Sequence, residues 1–230
     1  MTGKRSGDAD PAPTPARDFV PAAGRAELTG LYDLAIAVLT RERRWRAALL
    51  RLTAPSTGET IVDVGYGTGS FAIMLKRACP DVLVIAVDPD PAVLTIAGAK
   101  AANAGAAVEW LQAMGDELAE AGIGTADKAT SSLVLHQCPL PMKRAILAAM
   151  FQTLRPGGLI VVADYGEQRS RLMRLLFKQI QRLDGFENTQ PNADGMLPRL
   201  FAEAGFSRVV EHEVIRTITG SISIYSARKY

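Results

Sequence analysis

Asp63-Val64-Gly65-Tyr66-Gly67-Thr68-Gly69 follows Ile61-Val62, so a short β-branched run ends in three alternating glycines. Such a run, bounded by glycines, reads as a strand buried within a parallel sheet. The next segment, Ser70–Ala78, reads as a helix. A strand that turns through glycines into a helix offers the free N–H groups of the helix N-terminus to an anionic group. Gly65 supplies a tight turn, Gly67 lets the backbone approach a ligand, and Gly69 lets the helix pack near the strand. A dinucleotide fingerprint requires G-x-G-x-x-G/A. Here the third glycine comes one residue early, and Ser70 stands where the fingerprint wants Gly or Ala.

Working outward, residues 82–87 (VLVIAV) form a second strand, with Asp88 at its end. Pro91–Ala104 is an alanine-rich helix, Val108–Leu111 a third strand and Ala126–Leu133 a fourth. Met142–Leu154 is helical and stops at Pro156-Gly157-Gly158, before a fifth strand at 159–164. Strands alternating with helices in this way indicate a doubly wound parallel sheet. Phe206–Glu213 and Ser221–Ser226 are two more strands, joined by a short polar connection centred on Thr219-Gly220. No crossover helix fits there, so these two strands are expected to be antiparallel. Upstream, Glu27–Leu52 has Leu31, Leu34, Ala35, Val38 and Leu39 at three- and four-residue steps, a helical pattern. Residues 1–20 are rich in Pro, Ala, Gly and charge and are expected to be a disordered tail. The division expected is a tail at 1–20, an N-terminal helical lid at 21–57, and a main domain at 58–230 with a helical insertion at about 166–200.

The bulk numbers exclude several classes. Lys+Arg 26 against Asp+Glu 24 gives a net charge of +2, without the basic excess of a dedicated nucleic-acid binder. Two cysteines, Cys79 and Cys138, and two histidines, His136 and His212, are too few and too scattered for a structural zinc site, so no metal is expected. No apolar run approaches the roughly 20 residues that span a bilayer, and no signal-peptide core is visible. The cytoplasm is the expected compartment.

Asp88 strengthens the glycine signal. A carboxylate at the end of the second strand accepts hydrogen bonds from both hydroxyls of a ribose. The competing reading is a helix cap before Pro89 and Pro91. With the acid at position 63, the GxGxG spacing, Asp88 and the stretch from Ser131 to Asp164 containing LRPGG, the chain from about Leu31 to Tyr230 resembles the class I S-adenosylmethionine (SAM) dependent methyltransferases. It looks nearest to the subgroup of ubiquinone/menaquinone-biosynthesis C-methyltransferases and bacterial phospholipid N-methyltransferases. The resemblance implies a Rossmann-like, doubly wound, mostly parallel seven-stranded sheet with an antiparallel last strand. It also implies SAM as cofactor and S-adenosylhomocysteine (SAH) as product.

Carried over position by position, the resemblance makes Asp63, Gly65, Tyr66, Gly67, Gly69, Asp88, Pro89, Met114, Gly115, Ser131 and Ser132 cofactor-binding. Tyr32 joins them as a tyrosine that contacts the cofactor carboxylate or lines the acceptor pocket, with a plain amphipathic-helix role as the alternative. Two departures stand out. Tyr66 replaces the family's small residue between the first two glycines, and Ala113-Met114-Gly115 replaces a Gly-Asp-Ala whose acid receives the adenine amino group. Met114 is preferred at that place, with Asp116 kept as the alternative.

Methyl transfer from a sulfonium is an in-line displacement, so alignment supplies much of the acceleration. His136 is the leading base candidate, against a loop histidine with a structural hydrogen bond; Asp164 and Tyr165 also face the expected cleft. His212 is read as structural, and Asn188 and Asn192 as recognition or turn residues. In 166–186 (GEQRSRLMRLLFKQIQRLDGF), Leu172, Leu175, Leu176, Ile180 and Leu183 share one helical face, with Arg169, Arg171, Arg174, Lys178 and Arg182 over much of the remainder. A basic amphipathic helix of this kind closes over an active site or lies on an anionic membrane. The acceptor is expected to be a small or lipid/quinone-like molecule, at an O, N or C atom. Nucleic acid is not expected, since no Asn-Pro-Pro-Tyr-like motif follows the fourth strand. Peripheral membrane contact and homodimerisation stay open. The rival classes are a non-catalytic SAM- or nucleotide-binding module and an NAD(P)-dependent oxidoreductase.

Overall fold

The computed structural model describes residues 40–230. The expected tail, the first part of the helix begun at Glu27, and Tyr32 lie outside the described residues. Seven helices are described: α1 (Glu42–Thr53), α2 (Ser70–Ala78), α3 (Pro91–Ala104), α4 (Leu140–Thr153), α5 (Arg171–Asp184), α6 (Phe186–Ala193) and α7 (Leu197–Glu203). The strands are β1 (Thr60–Val64), β2 (Leu83–Asp88), β3 (Glu109–Gln112), β4 (Ala126–Ser132), β5 (Leu154–Tyr165), β6 (Ser207–Thr217) and β7 (Gly220–Arg228).

They form one sheet in the order β3-β2-β1-β4-β5-β7-β6. The neighbours from β3 to β5 pair in parallel, and β7 enters antiparallel to both β5 and β6. The strand order reverses between β1 and β4, which opens a crevice at their carboxyl ends, where such sheets bind ligands.

Local chemistry explains the helix ends nearest that crevice. The Asp90 carboxylate accepts a hydrogen bond from the Ala92 N–H and Pro91 starts α3, an N-cap followed by a residue that lacks an N–H the helix would leave unpaired. Ser170 caps α5 in the same way, through Met173 N. Two apolar layers cover the sheet. One joins Trp45 and Leu49 of α1 to Phe71, Leu75, Val84 and Ile224; the other joins Val62, Val64, Leu147, Met150, Leu200 and Phe201. The described part of the expected lid segment, α1, therefore buries Trp45, Ala48 and Leu49 against the sheet beside α2.

Two expectations need correction. The fifth strand starts earlier than 159: β5 begins at Leu154, which pairs with Ala126 before a register shift to Lys128–Leu159. Gly157 N and Gly158 O bond Lys229, so the backbone around the glycines is tied to the end of the chain. The apolar face of α5 is also rotated from expectation. Met173 and Phe177 are buried, while Leu172, Leu175 and Leu183 are exposed. The apolar arc of this helix is wider than one contact face, and the two aromatic rings flanking the core, Tyr165 and Phe177, meet at 5.0 Å and set which side turns inward.

Candidate active site

The glycine turn leaves β1 at the centre of the sheet. Gly65, Gly67 and Gly69 have φ of 75°, 52° and 75°, the left-handed region that side chains resist. A Cβ on Gly65 would run into Val134, and one on Gly69 would meet Trp110 at 2.6 Å; nothing lies within 4 Å of a Cβ on Gly67. The three expected roles therefore divide between close packing at Gly65 and Gly69 and open space at Gly67.

The turn is tied to the acid of β2. Gly67 N donates to Asp88 Oδ2 at 2.9 Å, and Asp90 N donates to Asp88 Oδ1 at 3.0 Å. Burial pushes the Asp88 carboxyl up, against these two N–H groups, which favour its ionised form. The cap of α3 is Asp90, so the competing role for Asp88 is already taken. Pro89 follows, its carbonyl accepting from Gln112 Nε2 at 3.4 Å.

Asp63 is wholly buried on β1. Its Oδ1 accepts from the Thr130 hydroxyl at 2.8 Å, and its Oδ2 has no partner among the described residues. Burial pushes this carboxyl up to about 6, opposed by the Thr130 bond and the charge of Arg46. On β4, Ser131 pairs in register with Val64 and its buried Oγ also lacks a partner. Ser132 ends the strand, and Leu133 adopts φ 56°, a strained conformation at the cleft edge. The sheet thus gathers Asp63, the glycines, Asp88, Ser131 and Ser132 at adjoining carboxyl ends.

The departures from the family pattern are also placed. Tyr66 is buried edge-on against Trp110, centroids 4.9 Å apart, with no partner for its hydroxyl among the described residues. Burial, then the negative charges of Asp88 and Asp90, push that phenol up to about 12. Met114 lies just past β3, its carbonyl accepting from Glu117 N at 3.0 Å. Gly115 packs so tightly that a Cβ would stand 2.8 Å from Val64 Cγ1. Asp116 adds to the burial that raises the Cys138 thiol to about 11, which puts its charge toward the loop after β4.

His136 sits in a single 3-10 turn, Leu135–Gln137, and is buried. Its Nδ1 is 2.8 Å from Asp164 Oδ1 and its Nε2 is 3.3 Å from Asp184 Oδ2. Burial lowers its pKa, but the charge and hydrogen bond of Asp164, then those of Asp184, outweigh it and push the imidazole up to about 9. An imidazolium with both nitrogens engaged has no lone pair for a substrate proton. These contacts are those of a loop histidine with structural hydrogen bonds, the alternative to the base reading. Asp164 is not free either: its Oδ2 accepts from Val134 N and Leu135 N, and its Oδ1 from Tyr165 N. Lys143, buried and lowered to about 8 chiefly by burial, donates to the Leu135 carbonyl.

Sequence reasoning missed Asp184, whose only signal is an acid at a helix end before Gly185. It left Asn192 undecided. Asn192 Nδ2 donates to the Tyr165 carbonyl at 2.9 Å, and its buried Oδ1 has no partner among the described residues. Asn188 makes a local bond to the Asp184 carbonyl, and His212 Nε2 meets Ser226 Oγ at 2.7 Å on the terminal strands. Among the described residues no group of three or more His, Cys, Asp and Glu is arranged to hold a metal.

A parallel sheet with an antiparallel strand inserted before its edge, a GxGxG turn after β1 and a buried acid closing β2 together match the arrangement that the resemblance to class I SAM-dependent methyltransferases implies. The family comparison agrees in direction: residues 61–158, less than half of the chain, match the methyltransferase-domain family. A demethylmenaquinone methyltransferase of Thermus thermophilus is 31% identical over 142 residues, 61% of this chain and 63% of that protein. A ubiquinone/menaquinone biosynthesis C-methyltransferase of Syntrophotalea carbinolica is 28% identical over 153 residues, 66% of this chain and 63% of its own length. The match thus spans less than two thirds of either relative. In fold, magnesium protoporphyrin IX methyltransferase from Synechocystis PCC 6803, solved with bound SAH, superposes with a TM-score of 0.64 at 18% identity, covering 88% of each chain.

Proposed function

We propose that this chain transfers the methyl group of SAM to a small apolar or amphipathic acceptor, lipid-like or quinone-like, and releases SAH. The observation that carries the reading is the Gly67–Asp88 bond, which holds a buried carboxylate beside an open glycine turn. The unpartnered polar atoms fit the cofactor: Asp63 Oδ2 suits its ammonium, and Ser131 Oγ is a further polar contact. Asp88 keeps lone pairs for ribose hydroxyls. SAM, when bound, supplies an activated methyl on a sulfonium. The residues of the chain bind and orient, which is the main requirement of an in-line displacement. With His136 engaged at both nitrogens, a proton leaving the acceptor goes to water or to a group other than His136. The similarity to quinone methyltransferases supports the acceptor class. Both cysteines are free thiols, which suits the reducing cytoplasm.

The test is calorimetric titration of the full chain with SAM and SAH, with NAD as control, followed by mass-spectrometric search for methylated products with quinone, phenol and lipid acceptors. SAM binding that is lost in Asp88→Ala, with no NAD binding, is the expected result. NAD binding in place of SAM would overturn the reading.

A further inference from the structure

The outer face of α5 is apolar and basic, and nothing in the site described above uses it. Leu172, Leu175 and Leu183 are 59%, 60% and 73% exposed, and Phe186, just beyond the helix end, is 61% exposed. The tip of the β6–β7 hairpin adjoins them: Gln179 Nε2 donates to the Ile218 carbonyl at 3.4 Å, and Ile218 is 57% exposed. Five large apolar side chains thus crowd one side of the molecule, where scattered single exposures would be the ordinary finding. Arg171, Lys178 and Arg182 lie at helical spacing beside the leucines and make no ion pair among the described residues, whereas Arg174 pairs with Asp194 at 3.4 Å. Glu187 is the exposed acid of this rim, and Asp184 is held by His136.

We propose that this face of α5, with Phe186 and Ile218, docks on an anionic phospholipid bilayer. An exposed leucine stripe bordered by unpaired cations matches the interfacial boundary, with side chains entering the acyl region and cations meeting lipid phosphates. A second copy of the chain is a poorer occupant, because a twofold contact would set the same cations against each other. The position adds a reason. Asp184 on this helix reaches His136 at the carboxyl ends of the strands, so a docked α5 brings the cleft rim to the membrane surface. That consequence rests on the amphipathic-acceptor reading; the docking surface does not.

The experiment is co-sedimentation of the full chain with vesicles of phosphatidylcholine alone or mixed with phosphatidylglycerol, at low and high salt, alongside SAM titration and light scattering. The wild type is expected to bind the phosphatidylglycerol vesicles, at least about tenfold more weakly in high salt or on phosphatidylcholine alone. Lys178→Glu/Arg182→Glu and Leu175→Glu/Leu183→Glu are each expected to lose at least about tenfold in vesicle affinity. Both variants should keep wild-type SAM affinity and melting temperature. Absence of wild-type vesicle binding, or equal binding by both variants, would overturn the proposal. So would a fall in melting temperature or a change in oligomeric state confined to the leucine variant, since the face would then be covered within the chain or by a second copy. Vesicle binding without SAM binding would support the docking surface and count against the methyl-transfer reading alone.

Discussion

Nε2 of His136 lies 3.3 Å from Oδ2 of Asp184, so the loop after β4 is tied to the last residue of α5. Asp164 holds the other ring nitrogen and two loop N–H groups besides. The arrangement is a clamp that fixes the cleft edge, and it assigns His136 a positioning role.

The clamp has a pH signature. Its imidazole is raised from 6.5 to about 9, so its stabilisation is full below about 6.5 and is lost as pH rises through about 9. His136→Gln is expected to cost about 3 kcal/mol at neutral pH, as one member of a buried charged set is removed. Its melting temperature should also fall less than that of the wild type across that pH window. Asp184 is partly exposed, so Asp184→Asn should cost only about 1 kcal/mol. Thermal melts over a pH series check this; parallel wild-type and His136→Gln curves would refute the clamp.

Gly65 and Gly67 separate packing from ligand access. Gly65→Ala meets both a φ of 75° and the Val134 side chain, so a loss of about 3 kcal/mol is expected. Gly67→Ala meets only the φ of 52° in open space, so its cost should stay near 1 kcal/mol. Its SAM affinity should nevertheless fall about tenfold or more, since an added methyl takes room the cofactor needs. Denaturant melts and SAM titration of the two variants decide the matter; equal SAM affinity for wild type and Gly67→Ala would place the cofactor elsewhere.

The rotation of α5 is open to a direct check. Phe177 is 1% exposed and Leu175 60%, the two positions standing at opposite edges of one broad apolar arc. Phe177→Ala should cost about 3–5 kcal/mol, and Leu175→Ala no more than about 0.5 kcal/mol. The reverse order in urea unfolding would mean that the helix presents its other face to the core.

These sites show what could be read without a structure. The strand–helix alternation and the antiparallel β6–β7 pair were legible because buried parallel strands are apolar runs and a short connection leaves no room for a crossover, although β6 runs on to Thr217, four residues beyond the expected Glu213. The place of Asp88 was legible as an acid one strand beyond a glycine turn, but its bond to Gly67 N was not. The partners of His136 were not. Asp164 and Asp184 lie 28 and 48 residues away, and spacing carries no trace of such contacts. The inward face of α5 was hidden for a related reason. Its apolar arc is broader than one contact, and the choice falls to Tyr165 and Ser170, which lie outside the helix.

Asp63 leads to the last expectation. Its carboxyl is raised from 3.8 to about 6, so folding favours the protonated form. That advantage is present below about 3.8 and is lost as pH rises through about 6, leaving an ionised, half-partnered carboxylate buried at neutral pH. The penalty is on the order of 3 kcal/mol. Asp63→Asn relieves it, so the ligand-free variant should be at least as stable as the wild type at neutral pH. A cofactor ammonium at Oδ2 would pull the same carboxyl back down, so SAM binding should release a proton near pH 6. Affinity should then fall by up to about tenfold per pH unit below that point. Calorimetry across pH, in buffers of different ionisation enthalpy, measures both effects. Asp63→Asn should bind SAM more weakly at neutral pH and lose this pH dependence; a variant that kept the wild-type slope would mean that Asp63 does not face the cofactor.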